Sequence, residues 1–343
     1  MTEEAPDLAA LEEAGEILKA GGLVAFPTET VYGLGGDGLN PASSRKIYAA
    51  KGRPSDNPLI IHIASMESLT QIAAEIPEAA KRLADAYWPG PLTMIFPKKE
   101  IVPYETTGGL DTVAVRFPSS RIAQEMIRRG GGFVAAPSAN LSGRPSPTTA
   151  QHVVEDLGDR IDMILDGGQV QIGLESTIVD FTEEIPVILR PGYINPDMLR
   201  QVLGQVRMDP GLTASAETKV RPKAPGMRYR HYAPKGQLTV VEGPEDSVCR
   251  EICALAAEKA AEGCRVRIFC TEESRELYPA EFTVSLGARA QEETIAYHLY
   301  DALRKCDEDG IEHIFSEAFN TPRIGQAVMN RLLKAAGHRV IRV

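Results

Sequence analysis

Two short polar segments carry side chains that could act on phosphate or carboxylate groups. Lys51 and Arg53 lie two residues apart after a predicted helix. Arg53 presents a planar fork of donors that suits phosphate or carboxylate, and Lys51 adds a point charge. Ser138 and Asn140 follow an apolar strand pattern, and ligands often bind at strand ends in open α/β sheets. Taken alone, the first segment is equally typical of a solvated basic loop, and the second of a plain turn.

Three further polar side chains interrupt apolar strand patterns. Arg116 interrupts the stretch 112–117, where a charge is costly unless it is paired. We therefore expect a carboxylate partner or an anionic substrate at Arg116. Arg190 ends the stretch 187–189 in the same way, and His62 interrupts the stretch 59–63. A single histidine in a strand is more often a hydrogen-bonded structural group than a ligand.

The usual nucleophile and phosphate-loop signatures are absent from the sequence. It contains no G-x-x-x-x-G-K-[ST], no G-x-S-x-G and no C-x-x-C segment. Cys249 and Cys253 fit core packing better than metal binding. Residues 33–38 match G-x-G-x-x-G, but no strand runs directly into the first glycine, so we interpret them as a tight backbone turn. The remaining set of cations, hydroxyls and amides suits a reaction on phosphates that depends on positioning and charge stabilisation.

Composition indicates an ordinary globular protein. The chain has 343 residues, of which 43% are hydrophobic and 24% charged, and its length suggests two domains. No apolar run approaches the roughly 18 residues of a membrane helix. The net charge of −10 argues against broad nucleic-acid affinity. Five cysteines, all between 249 and 306, and an acidic N-terminus without a signal pattern predict a cytoplasmic protein without a disulfide scaffold.

Apolar periodicity predicts an α/β fold for residues 1–207. The order mixes βαβ units with adjacent strands, which favours one twisted, mixed sheet with helices packed on it. Strands are predicted at 23–26, 59–63, 92–97, 112–117, 133–136, 162–166, 176–181 and 186–190. Helices are predicted at 8–20, 41–50, 120–129 and 148–157, with two more between 66 and 87.

A basic segment separates this region from a second α/β pattern. Residues 208–235 are broken by prolines, and residues 218–235 contain six Lys or Arg and no acid, which predicts a linker. Residues 236–343 then predict a small doubly wound domain. Its strands are expected at 238–241, 266–270, 311–315 and 338–343, and its helices at 245–262, 292–308 and 324–336.

Three motifs together resemble one known family. Residues 26–34 (FPTETVYGL), residues 51–59 (KGRPSDNPL) and residues 138–143 (SANLSG) resemble the YrdC-type threonylcarbamoyl-AMP synthases. The paired signature of that family, K-x-R and S-x-N, is intact. The resemblance covers about residues 10–205, and residues 227–234 with the C-terminal domain are similar to the long, two-domain form.

The resemblance implies a reaction. L-Threonine, bicarbonate and ATP would give L-threonylcarbamoyladenylate and pyrophosphate, with magnesium accompanying ATP. The product would feed the threonylcarbamoyl modification of the tRNA adenosine beside the anticodon. That last transfer would follow hand-off to a separate tRNA threonylcarbamoyl transferase complex, so we expect weak or no direct tRNA binding and no membrane partner.

The resemblance also assigns roles to residues, none of them to a metal. Lys51 and Arg53 would be catalytic and would neutralise phosphate and carbamate charge. Threonine would be held by Thr30, His62, Arg116, Ser138 and Ser176. ATP would be held by Arg53, Asn57, Thr112, Asn140, Ser146, Thr148 and Arg190. Because the linker is basic and aromatic, we hypothesise that His231 or Tyr232 folds over the nucleotide as a lid and excludes water.

Two other functions fit parts of the sequence. The basic linker would suit a noncatalytic module that binds tRNA or double-stranded RNA, although the net charge and the lack of an RNA-binding signature argue against it. A related enzyme could transfer a carbamoyl group from carbamoyl phosphate, but such proteins carry extra catalytic domains. RNA filter binding without ATP tests the first, and the choice between bicarbonate and carbamoyl phosphate as donor tests the second.

Overall fold

The computed structural model describes residues 1–212, Ala224 and 231–343. These residues form two compact units. The first contains 1–142, 146–171, 175–212 and Ala224, and the second contains 143–145, 172–174 and 231–343. The domain boundaries suggested by the sequence, at 207 and 235, stay a prediction. In the described part of the chain, no helix has the length and apolar character needed to cross a bilayer.

The first unit is built on a mixed sheet, as the alternating pattern predicted. Its described strands are β1 (Val24–Phe26), β2 (Gly33–Asp37), β3 (Ile60–His62), β4 (Leu92–Pro97), β5 (Thr112–Arg116), β6 (Val134–Ala136), β7 (Met163–Ile164), β8 (Thr177–Asp180), β9 (Val187–Arg190) and β10 (Arg207–Met208). Their order is β10-β9-β8-β4-β5-β3-β6-β2-β1-β7, with parallel and antiparallel neighbours. The α/β fold class is therefore confirmed.

Helices of the first unit begin and end at recognisable signals. They are α1 (Leu8–Lys19), α2 (Pro41–Lys51), α3 (Met66–Ile72), α4 (Glu78–Tyr87), α5 (Arg121–Arg129), α6 (Ala150–Leu157) and α7 (Pro196–Leu203). Asn40 caps α2 through its side chain, and Gly52 ends it in the left-handed conformation at φ 60°. This ending makes Lys51 the last helical residue and turns the chain toward Arg53.

The two faces of the central strands differ in chemistry because successive side chains point to opposite sides. One face, with Met94, Phe96 and Val115 among its members, is apolar and packs with residues of α3, α4 and α7. The opposite face carries polar residues from the same strands. Thr93 pairs in register with Arg116, and Arg116 pairs with His62, so these three residues lie side by side.

Strand β2 contradicts the interpretation of residues 33–38 as a tight turn. The segment Gly33–Asp37 is extended and pairs with β1 and β6. A Cβ on Gly35 would lie 2.8 Å from Val134 Cγ1 and 3.1 Å from Phe26 Cε1. The glycines are therefore required because neighbouring side chains occupy the space, which a pattern read along the chain does not show. The sequence analysis also missed α7 and β10.

Replacing Gly35 tests this explanation. We expect Gly35→Ala to lower the free energy of unfolding by about 1–3 kcal/mol, because the added carbon must displace the side chains of Val134 and Phe26. Urea denaturation of the full chain measures the change. A variant as stable as the parent would show that this part of the sheet adapts without cost.

The second unit contains a parallel sheet. Its described strands are β11 (Gln237–Glu242), β12 (Val266–Cys270), β13 (Thr283–Ser285), β14 (His313–Glu317) and β15 (Val340–Arg342), in the order β13-β12-β14-β11-β15. The helices are α8 (Glu245–Ala261), α9 (Glu292–Glu308) and α10 (Gly325–Ala335). The predicted small α/β domain is confirmed, and β13 is the strand that its pattern missed.

Candidate active site

Arg116 has the carboxylate partner that a buried charge in a strand requires. Its Nη2 lies 2.8 Å from Glu29 Oε1, and both side chains are 5% exposed. Its Nη1 donates a hydrogen bond to Thr30 Oγ1 at 2.8 Å. Glu29 and Thr30 belong to the turn after β1. The sequence analysis included Glu29 in a motif but missed it as the partner, although it is the acid beside Thr30.

This ion pair is incompletely hydrogen-bonded. Among the described residues, Arg116 Nε and Nη2 and Glu29 Oε1 are buried and have no hydrogen-bond partner, so the contact between Nη2 and Oε1 lacks hydrogen-bond geometry. The opposite oxygen, Glu29 Oε2, accepts from the backbone N–H of Ser119 at 3.2 Å. Buried polar atoms are normally paired, so unpaired ones within a charged pair point to a ligand.

His62 is a neutral histidine next to this pair. Its Nδ1 lies 3.1 Å from the carbonyl oxygen of Ile60. Burial disfavours the charged imidazolium and Arg116 repels it, which lowers the pKa of His62 from 6.5 to about 3. The imidazole therefore contributes a neutral hydrogen-bonding group at physiological pH.

The depressed pKa of His62 makes stability depend on acidity. In the unfolded chain the imidazole binds a proton below pH 6.5, whereas in the folded chain it stays neutral down to about pH 3. Stability from this group is therefore complete above pH 6.5 and is lost as the pH falls through this window. Between pH 6.5 and 5, we expect a loss of about 2 kcal/mol that His62→Gln removes. Urea denaturation of both proteins at the two pH values measures this loss. An equal change in the free energy of unfolding in the parent and in His62→Gln would contradict the prediction.

The structure brings the two polar segments of the sequence analysis together. Lys51 is buried, and its Nζ donates to the carbonyl oxygen of Ser138 at 2.5 Å and to that of Asn140. The hydroxyl of Ser138 donates to Asn140 Oδ1 at 2.5 Å. The lysine is thus fixed against the loop after β6, which joins the K-x-R and S-x-N segments into one cluster.

Arg53 shapes the loop that follows α2. Its Nε donates to the carbonyl oxygen of Asn57 at 3.2 Å, and its Nη2 donates to that of Pro58 at 3.1 Å. Asn57 is 2% exposed, and no described residue forms a hydrogen bond with its Oδ1. Thr112 begins β5 on the same face as Arg116, four residues or about 13 Å away along the strand.

Ser176, which directly precedes β8, and Arg190, which ends β9, form a second cluster. Ser176 Oγ lies 2.8 Å from Thr93 Oγ1. Arg190 is 5% exposed and donates from Nε to the carbonyl oxygen of Ser176 at 3.0 Å and from Nη2 to its hydroxyl at 3.2 Å. Because Thr93 pairs with Arg116, this cluster adjoins the Arg116 pair. Thr93 was not identified from the sequence.

Ser146 and Thr148 are fully buried, and each forms a hydrogen bond with another buried residue. Ser146 donates to Glu175 Oε1 at 2.5 Å. The backbone N–H of Thr148 donates to His152 Nδ1 at 3.2 Å. The sequence analysis missed both Glu175 and His152 as partners, and Glu175 directly precedes Ser176.

The predicted lid residues lie in the second unit. The ring centroid of Tyr232 is 5.3 Å from that of Tyr300 and 5.6 Å from that of His231. Most basic residues of the predicted linker lie outside the described residues. Ala224 is described, and it is buried with Ile60, Ile95 and Ala114 in the first unit. The lid role of His231 or Tyr232 stays a prediction.

Both parts of the chain match known protein families. Residues 16–192 match the Sua5/YciO/YrdC family model, described as telomere recombination, and residues 194–337 match the C-terminal domain of threonylcarbamoyl-AMP synthase. The chain is 48% identical to the threonylcarbamoyl-AMP synthase of Pyrococcus abyssi over 330 residues, which are 96% of this chain and 95% of that protein. It is 47% identical to that of Bacillus subtilis over 333 residues, or 97% and 94% of the two chains. The chain belongs to the threonylcarbamoyl-AMP synthase family.

Solved structures support the two-domain form of this family. The structure of Pyrococcus abyssi Sua5 complexed with L-threonine matches with a TM-score of 0.93 and 48% identity, covering 99% of this chain and 97% of that one. Escherichia coli YciO matches 54% of this chain with a TM-score of 0.50 and 24% identity, which shows a shared fold. The resemblance to long threonylcarbamoyl-AMP synthases is therefore confirmed.

Proposed function

We propose that this threonylcarbamoyl-AMP synthase family member joins L-threonine, bicarbonate and ATP into L-threonylcarbamoyladenylate, releasing pyrophosphate and water. The names of its relatives and the L-threonine complex of the Pyrococcus abyssi protein support this proposal. The observation that carries it is the buried guanidinium of Arg116, whose Nε and Nη2 have no hydrogen-bond partner within residues 1–212, Ala224 and 231–343.

The unpaired edge of Arg116 suits a carboxylate. Nε and Nη2 share one edge of the planar guanidinium, so their N–H groups can donate two parallel hydrogen bonds to the two oxygens of a carboxylate. We propose that the threonine carboxylate binds there. The polar groups proposed to hold the rest of threonine are Thr30, His62, Ser138 and Ser176.

The nucleotide would bind through two kinds of group. Lys51, Arg53 and Arg190 are cations that suit phosphate. Asn57 Oδ1 is a buried acceptor that has no partner among the residues the structure describes, so it suits a donor from a ligand. The adenine amino group and the ribose hydroxyls are the donors of ATP, and we propose that Asn57 binds the adenosine part. The other residues proposed for ATP are Thr112, Asn140, Ser146, Thr148, His231 and Tyr232.

Two bond-forming steps follow from these substrates. The threonine amine attacks the carbon of bicarbonate, which gives a carbamate and water. A carbamate oxygen then attacks the α-phosphorus of ATP, and pyrophosphate leaves. Because both reactants of the second step are anions, fixed cations must offset their repulsion, and we propose that Lys51 and Arg53 do so.

Magnesium is proposed to accompany ATP rather than to occupy a cluster of protein ligands. Over residues 1–212, Ala224 and 231–343, no group of three or more His, Cys, Asp or Glu side chains is placed to hold a metal ion. Magnesium commonly binds through substrate phosphates and few protein carboxylates. We propose that it enters with the phosphates of ATP.

The adenylate would serve a later reaction. We propose that it is handed to a tRNA threonylcarbamoyl transferase complex for modification of the adenosine beside the anticodon. The cytoplasmic location and weak or absent tRNA binding stay predictions.

Mass spectrometry of the product tests the proposed function. The full chain is incubated with ATP, bicarbonate, magnesium and each of a panel of amino acids. We expect threonylcarbamoyladenylate to form with threonine, and to be lost when any one of the three substrates is omitted. Formation with carbamoyl phosphate in place of bicarbonate would indicate a different carbamoyl donor. No adenylate with all three substrates would overturn the proposal.

A further inference from the structure

The ion pair of Arg116 and Glu29 is hydrogen-bonded at some of its polar atoms and lacks hydrogen-bond partners at others. Thr30 accepts a hydrogen bond from Arg116 Nη1 at 2.8 Å, and the backbone of Ser119 donates to Glu29 Oε2 at 3.2 Å. In the part of the chain that the structure describes, Arg116 Nε and Nη2 and Glu29 Oε1 have no hydrogen-bond partner, although Nη2 and Oε1 lie 2.8 Å apart as an ion pair. Because these atoms are buried and belong to charged groups, leaving them unpaired costs stability.

The chemistry of these atoms defines the group that would complete them. Arg116 requires an anion that accepts two parallel hydrogen bonds, and Glu29 requires a donor that is preferably cationic. A simple anion such as phosphate would satisfy Arg116 but would be repelled by Glu29 at 2.8 Å from the guanidinium. A simple cation would meet the opposite problem. A ligand with a carboxylate and an ammonium on the same carbon, as in an α-amino acid, satisfies both.

We infer that Glu29 binds the ammonium group of the amino-acid substrate while Arg116 binds its carboxylate. The inference rests on the proposed function, because it takes threonine as the substrate. It adds an ammonium subsite, built from Glu29 Oε1, to the carboxylate subsite of Arg116. The buried pair then selects an α-amino acid over the same acid without its amino group.

A purely positioning role for Glu29 leads to a different expectation. If Glu29 only orients Arg116, its loss weakens every carboxylate ligand equally, whether or not the ligand has an amino group. If Glu29 binds the ammonium, its loss weakens amino acids alone. Removing the carboxylate also removes a competitor for Arg116, so an acid without an amino group should then bind as well as before or more tightly.

Calorimetric titration of the full chain distinguishes these roles. The ligands are L-threonine and (R)-3-hydroxybutanoate, which is threonine without its amino group. We expect the parent to prefer threonine by at least about tenfold, and Glu29→Gln to lose that preference through weaker threonine binding, since a charge-assisted hydrogen bond contributes about this much. Binding of 3-hydroxybutanoate should stay equal or tighten in the variant.

Matched variants separate the subsite from folding and from net charge. Glu105→Gln removes one carboxylate from an exposed ion pair with Arg45, 2.7 Å away, and should leave both affinities unchanged. Glu29→Asp keeps the charge on a shorter side chain and should retain part of the preference for threonine. Thermal unfolding of each variant confirms that it is folded, and the comparison of ligands on the parent needs no variant.

The possible outcomes distinguish failure of the ammonium subsite from failure of the proposed function. A parent that binds both ligands equally, or a folded Glu29→Gln protein that loses equal affinity for both, overturns the ammonium subsite and leaves the proposed function intact. A parent that binds no threonine and forms no adenylate overturns both. Selective loss of threonine binding in Glu29→Gln supports the subsite.

Discussion

Replacing Arg53 with alanine is expected to slow pyrophosphate release by about 100-fold, because one preorganised charge contact to a developing negative charge contributes about 3 kcal/mol. The same change removes the hydrogen bonds from Arg53 to the carbonyl oxygens of Asn57 and Pro58. The loop that carries Asn57 then loses its support, so we expect the affinity for ATP to fall as well.

Steady-state pyrophosphate release at saturating threonine and bicarbonate measures this effect. Arg53→Lys keeps the charge without the planar fork and should recover only part of the rate. Arg45→Ala removes an exposed arginine of α2, the helix that precedes Arg53. Arg45 forms an ion pair with Glu105, and its loss should leave the rate unchanged. A near-parental rate in Arg53→Ala would remove this arginine from the proposed catalytic set.

The sequence predicted helices and strands better than it predicted which side chains contact one another. Alternating apolar residues located most strands, and Asn40 before Pro41 located the start of α2, because these signals lie within a few neighbouring residues. The same pair of residue types, Asn195 and Pro196, caps α7, which was nevertheless missed. Strand β2 was missed because its glycines are required by side chains on other strands. A Cβ on Gly35, for example, would clash with Val134.

The charge on Arg116 shows where sequence reasoning ends. Its place in an apolar strand required a partner, and the sequence offered either a carboxylate or an anionic substrate. Glu29 lies 87 residues earlier in the chain, and only the order of β1, β5 and the strands between them brings the two together. Lys51 and Ser138, also 87 residues apart, meet for the same reason.

Replacement of Arg116 should separate the two substrates. We expect Arg116→Ala to raise the KM for threonine by about 100-fold, because a two-pronged charged hydrogen bond to its carboxylate is lost, and to change the KM for ATP less than about threefold. Substrate-dependent initial rates measure both constants. Arg128→Ala, which removes an exposed partner of Glu125, is the matched control and should change neither. Normal use of threonine with a collapse in ATP affinity would show that the two pockets are exchanged.

The same replacement should also destabilise the fold, and a second substitution distinguishes the two effects. Arg116→Ala leaves the 5% exposed carboxylate of Glu29 without its cation, which is expected to cost about 3–5 kcal/mol in urea denaturation. Adding Glu29→Gln removes the buried charge and should restore much of that stability, because neither member of the ion pair then remains alone. Threonine use should stay impaired in the double variant, since no guanidinium remains to bind the carboxylate. If stability and threonine use recover together, the effect of Arg116 on catalysis is indirect and the carboxylate subsite lies elsewhere.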